Sequence, residues 1–282
     1  MRADLHCHSN ASDGTRPPAE VMARARAAGL DAVALTDHDT VTGHAAARQA
    51  LPAGLTLIPG MELSCRQDGR SVHMLAYLFD PSEPALAAEC ERIRGARQDR
   101  ARAVVARLAD LGAPVTWEQV TALAGGGVVG RPHIARALLA AGAVRSWDEA
   151  FGPQWLGHGG RAHVTRYAPS PADAIGLVRG AGGVAVLAHP RTAGRALRMS
   201  DESVAVLAAA GLAGIEVSHP EHPPGDRSAL AGLAVDLGLV ATGGSDDHGT
   251  QTGDRIGCDT IAPHQYERLV SMATGAIPER GR

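Results

Sequence analysis

The chain has 282 residues, 45% of them hydrophobic, which is enough for one large domain or for a domain that carries an insertion. Its net charge of −3 excludes a uniformly basic protein that would bind duplex nucleic acid or an anionic membrane through its overall charge. The aromatic content of 3% disfavours a surface on which the bases of long single strands would stack. All 27 basic residues are arginine, so Schiff-base chemistry and the lysine of a P-loop are excluded.

The first predicted element is a strand, "ADLHCH", over residues 3–8. Because side chains alternate along a strand, we expect His6 and His8 on one face and Leu5 and Cys7 on the other. Two imidazoles roughly 7 Å apart at their Cα atoms can reach one cation, whereas the simpler interpretation is a surface strand with two histidines. The helical run "PPAEVMARARAAG" follows, with proline near its start and Gly29 at its end.

Further apolar strands alternate with helical runs along the chain. The second strand, "DAVALTDH", leads into "TVTGHAAARQAL", a predicted helix capped by Asp39 or Thr40, with His44 facing solvent. The later strands are "LTLIPGMELS", "SVHMLAYLF", "GVAVLAHP", "LAGIEVSH" and "GLVATGGSDDH". Continuous apolar runs are typical of parallel strands covered on both faces, so the pattern predicts a parallel, TIM-like (β/α)7 barrel.

A region with helical patterns only separates the fourth and fifth strands. In it, "TWEQVTALAG" has Thr116 as the expected N-cap, and "RPHIARALLAAG" has Pro132 at its start. We therefore predict a barrel domain over residues 1–83 and 169–282 and a helical insertion over residues 84–168. The first helix of the insertion is basic, which is most simply a solvated helix face; its arginines are Arg92, Arg94, Arg97, Arg100, Arg102 and Arg107.

Histidine and acidic residues recur near the ends of the predicted strands. A parallel β/α barrel collects its C-terminal strand ends into one pocket, so these segments would deliver their side chains to one place. Chance placement of polar caps would rarely select histidine and acid so consistently. The residues are His6, His8 and Asp13 after the first strand, Asp37 and His38 after the second, Glu62 at the third, His73 early in the fourth, His189 after the fifth, and Asp246 and His248 after the seventh.

The motifs "DLHCHSNASDGT", "ALTDHDTVTG", "GMELS", the isolated His73, "AHP" and "GSDDHG" resemble, in order, those of the polymerase and histidinol phosphatase (PHP) superfamily. The insertion with "GRPHIARAL" resembles one branch, which contains nucleoside 3′,5′-bisphosphate phosphatases and 5′–3′ exoribonucleases of short RNA. The resemblance implies a distorted seven-stranded barrel, a trinuclear metal site and phosphoesterase activity.

The resemblance also implies which residues hold the metals. The implied groups are His6, His8, Glu62 and Asp246 for the first ion, Glu62 (bridging), His73 and His189 for the second, and Asp13, His38 and His248 for the third. Nitrogen and oxygen ligands without thiolate suit divalent manganese, iron or zinc. Of these metals we expect manganese, with up to three ions bound per chain. We assign catalytic roles to Glu62, Asp246 and His248 among them. In "SDDH", strand-like alternation places Asp246 rather than Asp247 beside His248.

The implied chemistry is attack on phosphorus by a hydroxide that bridges two cations, with the cations neutralising the phosphoryl oxygens. Arg191, two residues after His189, is expected to bind the substrate phosphate. Arg131 and His133 of "GRPH" would reach over the pocket, which makes the insertion a substrate lid; the alternative for Arg131 is a surface residue at a helix end. The basic first helix of the insertion favours a substrate longer than one nucleotide.

Four polar neighbours of the implied ligands have simpler interpretations. Asp37 is expected to position His38 or to cap a helix, and Asp4 to support a histidine of the first strand. The remaining two, His219 and His222 in "VSHPEHPP", follow the sixth strand and could line the pocket.

The predicted function is hydrolysis of phosphate esters of nucleotides, namely nucleoside 5′-monophosphates, 3′,5′-bisphosphates or the 5′ ends of short RNA. One alternative is histidinol-phosphate phosphatase, which the insertion disfavours. Another is a metal-binding, proofreading-type module that acts with a partner polymerase, although no obligatory protein partner is evident. Amidohydrolase chemistry is disfavoured because such barrels commonly use a carboxylated lysine, which this chain lacks.

The expected location is the cytoplasm, without membrane contact. No run of 18 apolar residues occurs, and the first residues are polar where a signal sequence would have an apolar core. The four cysteines lack CxxC spacing and are predicted to be free thiols; they are Cys7, Cys65, Cys90 and Cys258.

Overall fold

The computed structural model describes residues 1–192 and 198–281. The chain divides into two compact units, of which the first comprises Met1–Cys90 with Ala168–Arg282 and the second comprises Glu91–Tyr167. Within the described ranges, no helix combines the length and the apolar character needed to cross a bilayer.

The first unit is built on a barrel of seven strands that follow one another in sequence order, which confirms the predicted fold class. The barrel is nearly closed, because the segment after the seventh strand bridges to the end of the first, where the amide of His8 donates to the carbonyl of Asp247 at 2.9 Å. A short eighth strand pairs with the third. The strands are β1 (Ala3–Cys7), β2 (Ala32–Leu35), β3 (Thr56–Gln67), β4 (Arg70–Tyr77), β5 (Val184–Leu187), β6 (Gly214–Ser218), β7 (Val240–Gly243) and β8 (Glu279–Arg280).

Strand β4 runs antiparallel to both of its neighbours, so the expectation of an all-parallel barrel is wrong at this strand. The cause is a two-residue hairpin, in which Asp68 and Gly69 join β3 to β4 with φ values of 50° and 75°. Positive φ at both positions is what a type I′ turn requires, and Asp-Gly between apolar runs is a strong hairpin signal in a sequence. The same hairpin extends β3 to Gln67, so Glu62 lies within the strand rather than at its end.

Some of the helices belong to the first unit and pack on its barrel, and the others form the second unit. Between residues 84 and 168 the structure contains helices and turns but no strand. The helices of the described residues are α1 (Pro18–Ala27), α2 (His44–Gln49), α3 (Pro84–Asp110), α4 (Trp117–Ala124), α5 (Arg131–Ala140), α6 (Trp147–Ala150), α7 (Pro171–Gly180), α8 (Asp201–Ala209), α9 (Pro224–Asp236) and α10 (Pro263–Met272).

The predicted helix caps have different outcomes. Thr116 caps α4 as predicted, since its hydroxyl accepts from the amide of Gln119 while the Gln119 side chain accepts from the amide of Thr116. The predicted cap of α2 is wrong, because α2 begins after Gly43 and has no side-chain cap. Asp39 instead accepts from the amide and hydroxyl of Ser64 on β3, at 2.6 and 2.8 Å.

Two buried clusters lie on opposite faces of the sheet. Leu5 belongs to a cluster with Ile58 and Tyr77, whereas Cys7 packs with Met22 of α1 in a second cluster. The expectation that Leu5 and Cys7 share a face is therefore wrong, and the reason is an irregularity in the pairing of β1 with β2 between Asp4 and Cys7. All four cysteines are free thiols.

The second unit has its own apolar core, in which Leu108, Val120, Ile134 and Leu138 are at most 1% exposed. Two arginines of α3 stack on aromatic rings within this unit. The guanidinium carbon of Arg92 lies 3.5 Å from the ring centre of Tyr167, and that of Arg102 lies 4.2 Å from Trp117. Part of the basic character of α3 is thus used inside the unit.

Candidate metal centre

The predicted ligands converge at one end of the barrel. Parallel strands bring their C-terminal ends there, and β4 brings its N-terminal half because it runs in the opposite direction. His73, early in β4, therefore meets Glu62 of β3, and the segment after β2 reaches the same place through a bridge between His38 and Glu62.

Among the residues that the structure describes, three groups of side chains present atoms that could hold cations. Within each group the ligand atoms lie within 4.8 Å of one another; the groups are His6, His8, Glu62 and Asp246, then His38, Glu62 and His73, and then His8, Asp13, His38 and His248. The first group contains the four residues predicted for the first ion. His38 joins the second group, and His189 approaches the same acid, with its Nε2 atom 3.0 Å from Oε1 of Glu62.

Glu62 is the centre of the arrangement, and its two oxygens face different histidines. The carboxylate is 1% exposed. The ring nitrogens near Oε2 belong to His6 (3.3 Å), His8 (3.1 Å) and His38 (3.2 Å), and those near Oε1 belong to His73 (2.7 Å) and His189 (3.0 Å). A carboxylate with this division of contacts can bridge two cations.

The other two predicted carboxylate ligands, Asp246 and Asp13, also lie next to predicted histidine ligands. Oδ1 of Asp246 lies 3.3 Å from Nε2 of both His6 and His8. Oδ1 of Asp13 lies 3.3 Å from Nε2 of His248. Asp247 faces away from this group and accepts from the backbone amides of residues 249 and 255, so it holds its own loop.

The electrostatics of the centre favour positive charge. Burial raises the pKa of Glu62, but the surrounding histidines, His38 first, outweigh burial and hold this pKa well below its usual value. Burial lowers the pKa of His8, but the nearby carboxylates of Asp246 and Glu62 outweigh burial and raise it to about 10. Protons on imidazoles or bound cations can supply the positive charge that the buried carboxylates require.

The donor set fits divalent cations. Nε2 of His6 and both ring nitrogens of His8 are buried, and none makes a hydrogen bond to the residues that the structure describes. Buried polar atoms without such partners are costly, and a metal ion satisfies an imidazole lone pair. With carboxylates, imidazoles and no thiolate, the residues suit manganese, iron or zinc.

One supporting acid acts differently from the sequence-based expectation, and the other supports a histidine of the first strand as expected. Asp37 accepts from the amide of Ser9 at 2.8 Å and from the hydroxyls of Ser9 and Ser12 at 2.6 Å each. It thus holds the loop that carries Asp13, whereas contact with His38 or a helix cap was expected. Asp4 accepts from the backbone amide of His6 at 3.2 Å, together with the amides of residues 245 and 257, so it supports the main chain.

Glu216 and Arg255 also reach the centre, and sequence reasoning missed both. Oε1 of Glu216 lies 3.0 Å from Nδ1 of His6. A single acid inside the apolar run "GIEVS" was the available signal for Glu216. The Arg255 side chain donates to the carbonyl oxygen of Asp246 at 2.9 Å, and no motif pointed to it.

The remaining histidines near the site have defined partners. His219 has its Nε2 atom 3.4 Å from Oδ2 of Asp246, and Nδ1 of His222 lies 3.0 Å from the carbonyl oxygen of Val217. His44 is buried, with Nε2 lying 2.9 Å from the carbonyl oxygen of Gly60, so the expectation that it faces solvent is wrong.

The three predicted substrate residues lie in different surroundings. Arg191 forms ion pairs with Asp201 and with Asp226, the second at 3.5 Å. In the second unit, the guanidinium of Arg131 lies 5.8 Å from the Phe151 ring centre, and Nδ1 of His133 accepts from the amide of residue 130 at 3.0 Å.

Comparison with known proteins shows which family and which relatives the chain resembles. A family model described as the PHP domain matches residues 4–113. The chain is 37% identical over 254 residues to a 3′,5′-nucleoside bisphosphate phosphatase from Chromobacterium violaceum, covering 89% of each protein. It is 35% identical over 246 residues to a 5′-3′ exoribonuclease from Haemophilus influenzae, covering 87% of this chain and 89% of the relative. A crystal structure from Bifidobacterium adolescentis, described provisionally as a metal-dependent phosphoesterase, superposes with a TM-score of 0.89 at 35% identity and covers 96% of each chain.

Proposed function

We propose that this chain, which belongs to the PHP domain family and is therefore a metal-dependent phosphoesterase, hydrolyses phosphate esters of nucleotides. The proposed substrates are nucleoside 5′-monophosphates, nucleoside 3′,5′-bisphosphates or the 5′ ends of short RNA. The observation that carries the proposal is the buried Glu62, whose two oxygens face separate sets of histidines. The similarity to a bisphosphate phosphatase and an exoribonuclease over most of each chain supports the substrate class.

We also propose that the nine predicted ligands hold up to three divalent ions, with manganese as the expected metal. Such ions activate water as a nucleophile near neutral pH and neutralise charge on phosphoryl oxygens. The chain's own residues set the geometry: Glu62 contributes charge to two groups, Asp246 to the first and Asp13 to the third, where His248 adds an imidazole. Glu62 and Asp13 are buried, which keeps bulk water from them and strengthens their electrostatic contacts.

The substrate phosphate would be held by arginines. Arg191 follows the ligand His189 closely, and its ion pair with Asp201 is weak in water because the Asp201 side chain is 64% exposed, so a phosphate can compete for the guanidinium. We propose that Arg131 and His133 add contacts from the insertion of residues 84–168, which would act as a lid on the barrel domain of residues 1–83 and 169–282. The proposal requires both arginines to contribute to catalysis on phosphorylated substrates.

A substrate screen tests the proposed function. The protein is stripped of metal, reloaded with manganese and offered adenosine 5′-monophosphate, adenosine 3′,5′-bisphosphate, 5′-phosphorylated RNA of a few nucleotides, the same RNA with a 5′-hydroxyl, and histidinol phosphate. Phosphate release and RNA length are measured, with Glu62→Gln as the inactive control. Hydrolysis of any of the nucleotide substrates supports the proposal and identifies the substrate class.

Two outcomes of the screen would overturn the proposal. Turnover of histidinol phosphate alone would favour the histidinol-phosphate phosphatase alternative. No turnover of any substrate by the fully loaded protein would favour a module that requires a partner polymerase.

A further inference from the structure

Glu216 lies in the middle of β6 and is 1% exposed. Its two oxygens contact two predicted metal ligands that reach the site from different strands. Oε1 lies 3.0 Å from Nδ1 of His6, and Oε2 accepts from the backbone amide of His189 at 2.7 Å. Both carboxyl oxygens of Glu216 therefore face nitrogen atoms, and one of these is a backbone N–H donor.

The contact with Glu216 determines where His6 carries its proton. A carboxylate only accepts hydrogen bonds, so Nδ1 of His6 must be the N–H atom. The lone pair of the ring is then on Nε2, which lies 3.3 Å from both Oε2 of Glu62 and Oδ1 of Asp246 and has no hydrogen-bond partner among the described residues. Nε2 is therefore free to bind a cation beside these two acids.

The contact with His189 stabilises an unfavourable backbone conformation. His189 has a φ of 27°, in the left-handed region that residues with a side chain rarely adopt. Its amide must have a buried acceptor to be satisfied, and Oε2 of Glu216 is that acceptor. One carboxylate thus supports His6, a member of the first ligand group, and His189, which approaches the other oxygen of Glu62.

We propose that Glu216 is a positioning residue that holds His6 in its Nδ1–H tautomer and fixes the main chain of His189, so that the affinities of two metal positions depend on one buried acid. The inference rests on the proposed metal-dependent function. It deepens that function because Glu216 would act through two of the proposed ligands, His6 and His189, rather than bind a metal itself.

The substitution Glu216→Gln separates this role from simple packing. Glutamine has the same shape, but only one of its two terminal atoms accepts a hydrogen bond. If its oxygen keeps the amide of His189, its NH₂ group faces Nδ1 of His6. His6 must then accept at Nδ1 and carry its proton on Nε2, which removes the lone pair from the metal side. If the side chain turns around, the amide of His189 faces an N–H group instead.

Metal affinity is the first readout. Zinc binding to the stripped protein is measured by competition with a coloured chelator, without substrate. We expect Glu216→Gln to weaken binding about 10- to 100-fold, the range observed for groups that orient metal-binding histidines. Glu267→Gln, the same change at an exposed site on α10, should leave the affinity unchanged. Unchanged affinity in a folded Glu216→Gln protein would overturn the proposal.

The tautomer of His6 is the second readout, and it does not depend on a variant that must fold. In zinc-loaded wild-type protein with ¹⁵N-labelled histidine, His6 should show a proton on Nδ1 and metal on Nε2. Metal on Nδ1 would overturn the proposal even if Glu216→Gln proves unstable. Because neither readout involves turnover, a protein that binds zinc in this way but fails the substrate screen would contradict only the proposed activity.

Discussion

Nδ1 of His73 lies 2.7 Å from Oε1 of Glu62, although the two residues belong to strands that run in opposite directions. The contact exists because the β3–β4 hairpin folds the early part of β4 back along β3, which pairs His73 with Ser64. It places an imidazole on the oxygen of Glu62 that His6 and His8 do not approach. The bridging role proposed for Glu62 depends on this antiparallel pairing.

Glu62→Gln tests the bridging role. The change keeps the shape of the side chain but removes the charge that two ligand groups share, so we expect hydrolysis to fall by roughly 100-fold or more while the fold persists. Phosphate release and circular dichroism of the manganese-loaded protein measure the two effects. Turnover near the wild-type rate with an unchanged spectrum would show that Glu62 does not bridge metals.

The number of ions tests the three ligand groups. We expect elemental analysis to find up to three divalent ions per chain after reconstitution with manganese or zinc. Asp13 belongs to one group only, so Asp13→Asn should reduce the count by about one without affecting the other positions. A wild-type protein that binds one ion at most would contradict the trinuclear arrangement.

Arginine substitutions test substrate recognition. If Arg191 and Arg131 both hold the phosphate, each change to Ala should cost roughly 1.5–3 kcal/mol of transition-state stabilisation, or about 10- to 150-fold in kcat/KM. Metal content should not change, which separates these residues from the ligands. A silent Arg131→Ala with an impaired Arg191→Ala would restrict recognition to the barrel. If both variants are silent, neither arginine binds phosphate and the proposed lid is wrong.

His44 is expected to make stability depend on pH outside the metal centre. Burial lowers its pKa below 6.5, the value expected in the unfolded chain. The unfolded state therefore binds the proton more readily, and wild-type stability should fall as pH decreases below about 6.5, by at most about 1.4 kcal/mol per pH unit from this group.

The matched variant for this effect is His44→Gln, which can still donate to the carbonyl oxygen of Gly60 but does not titrate. Urea midpoints of both proteins at pH 7.5 and 5.5 give the comparison, in which contributions from the ligand histidines cancel. The variant should lose less stability than the wild type on acidification. An equal loss would show that His44 binds its proton equally well in the folded and unfolded states, so that burial does not lower its pKa.

Several features could be predicted because they depend on local sequence. The cap of α4 follows from Thr116 and Gln119, which are three residues apart, and the start of α5 follows from Pro132. The PHP resemblance and the barrel were likewise predicted from motifs in sequence order, and the comparisons and the fold confirm them. The Asp-Gly hairpin is equally local, but the continuous apolar runs on either side of it are typical of parallel strands and obscure its signal.

The sequence by itself determined the chemistry that is available: histidines and acids at the strand ends, and no lysine or metal-binding cysteine pattern. Only the tertiary structure decided which atoms meet. Glu216 contacts His6 across 210 positions of sequence, and Asp37 holds the loop of Ser9 and Ser12 rather than its own neighbour His38. The physical reason is that backbone periodicity fixes the face of a side chain within its own element, whereas hydrogen bonds between elements depend on the strand order and register that arise when the barrel closes.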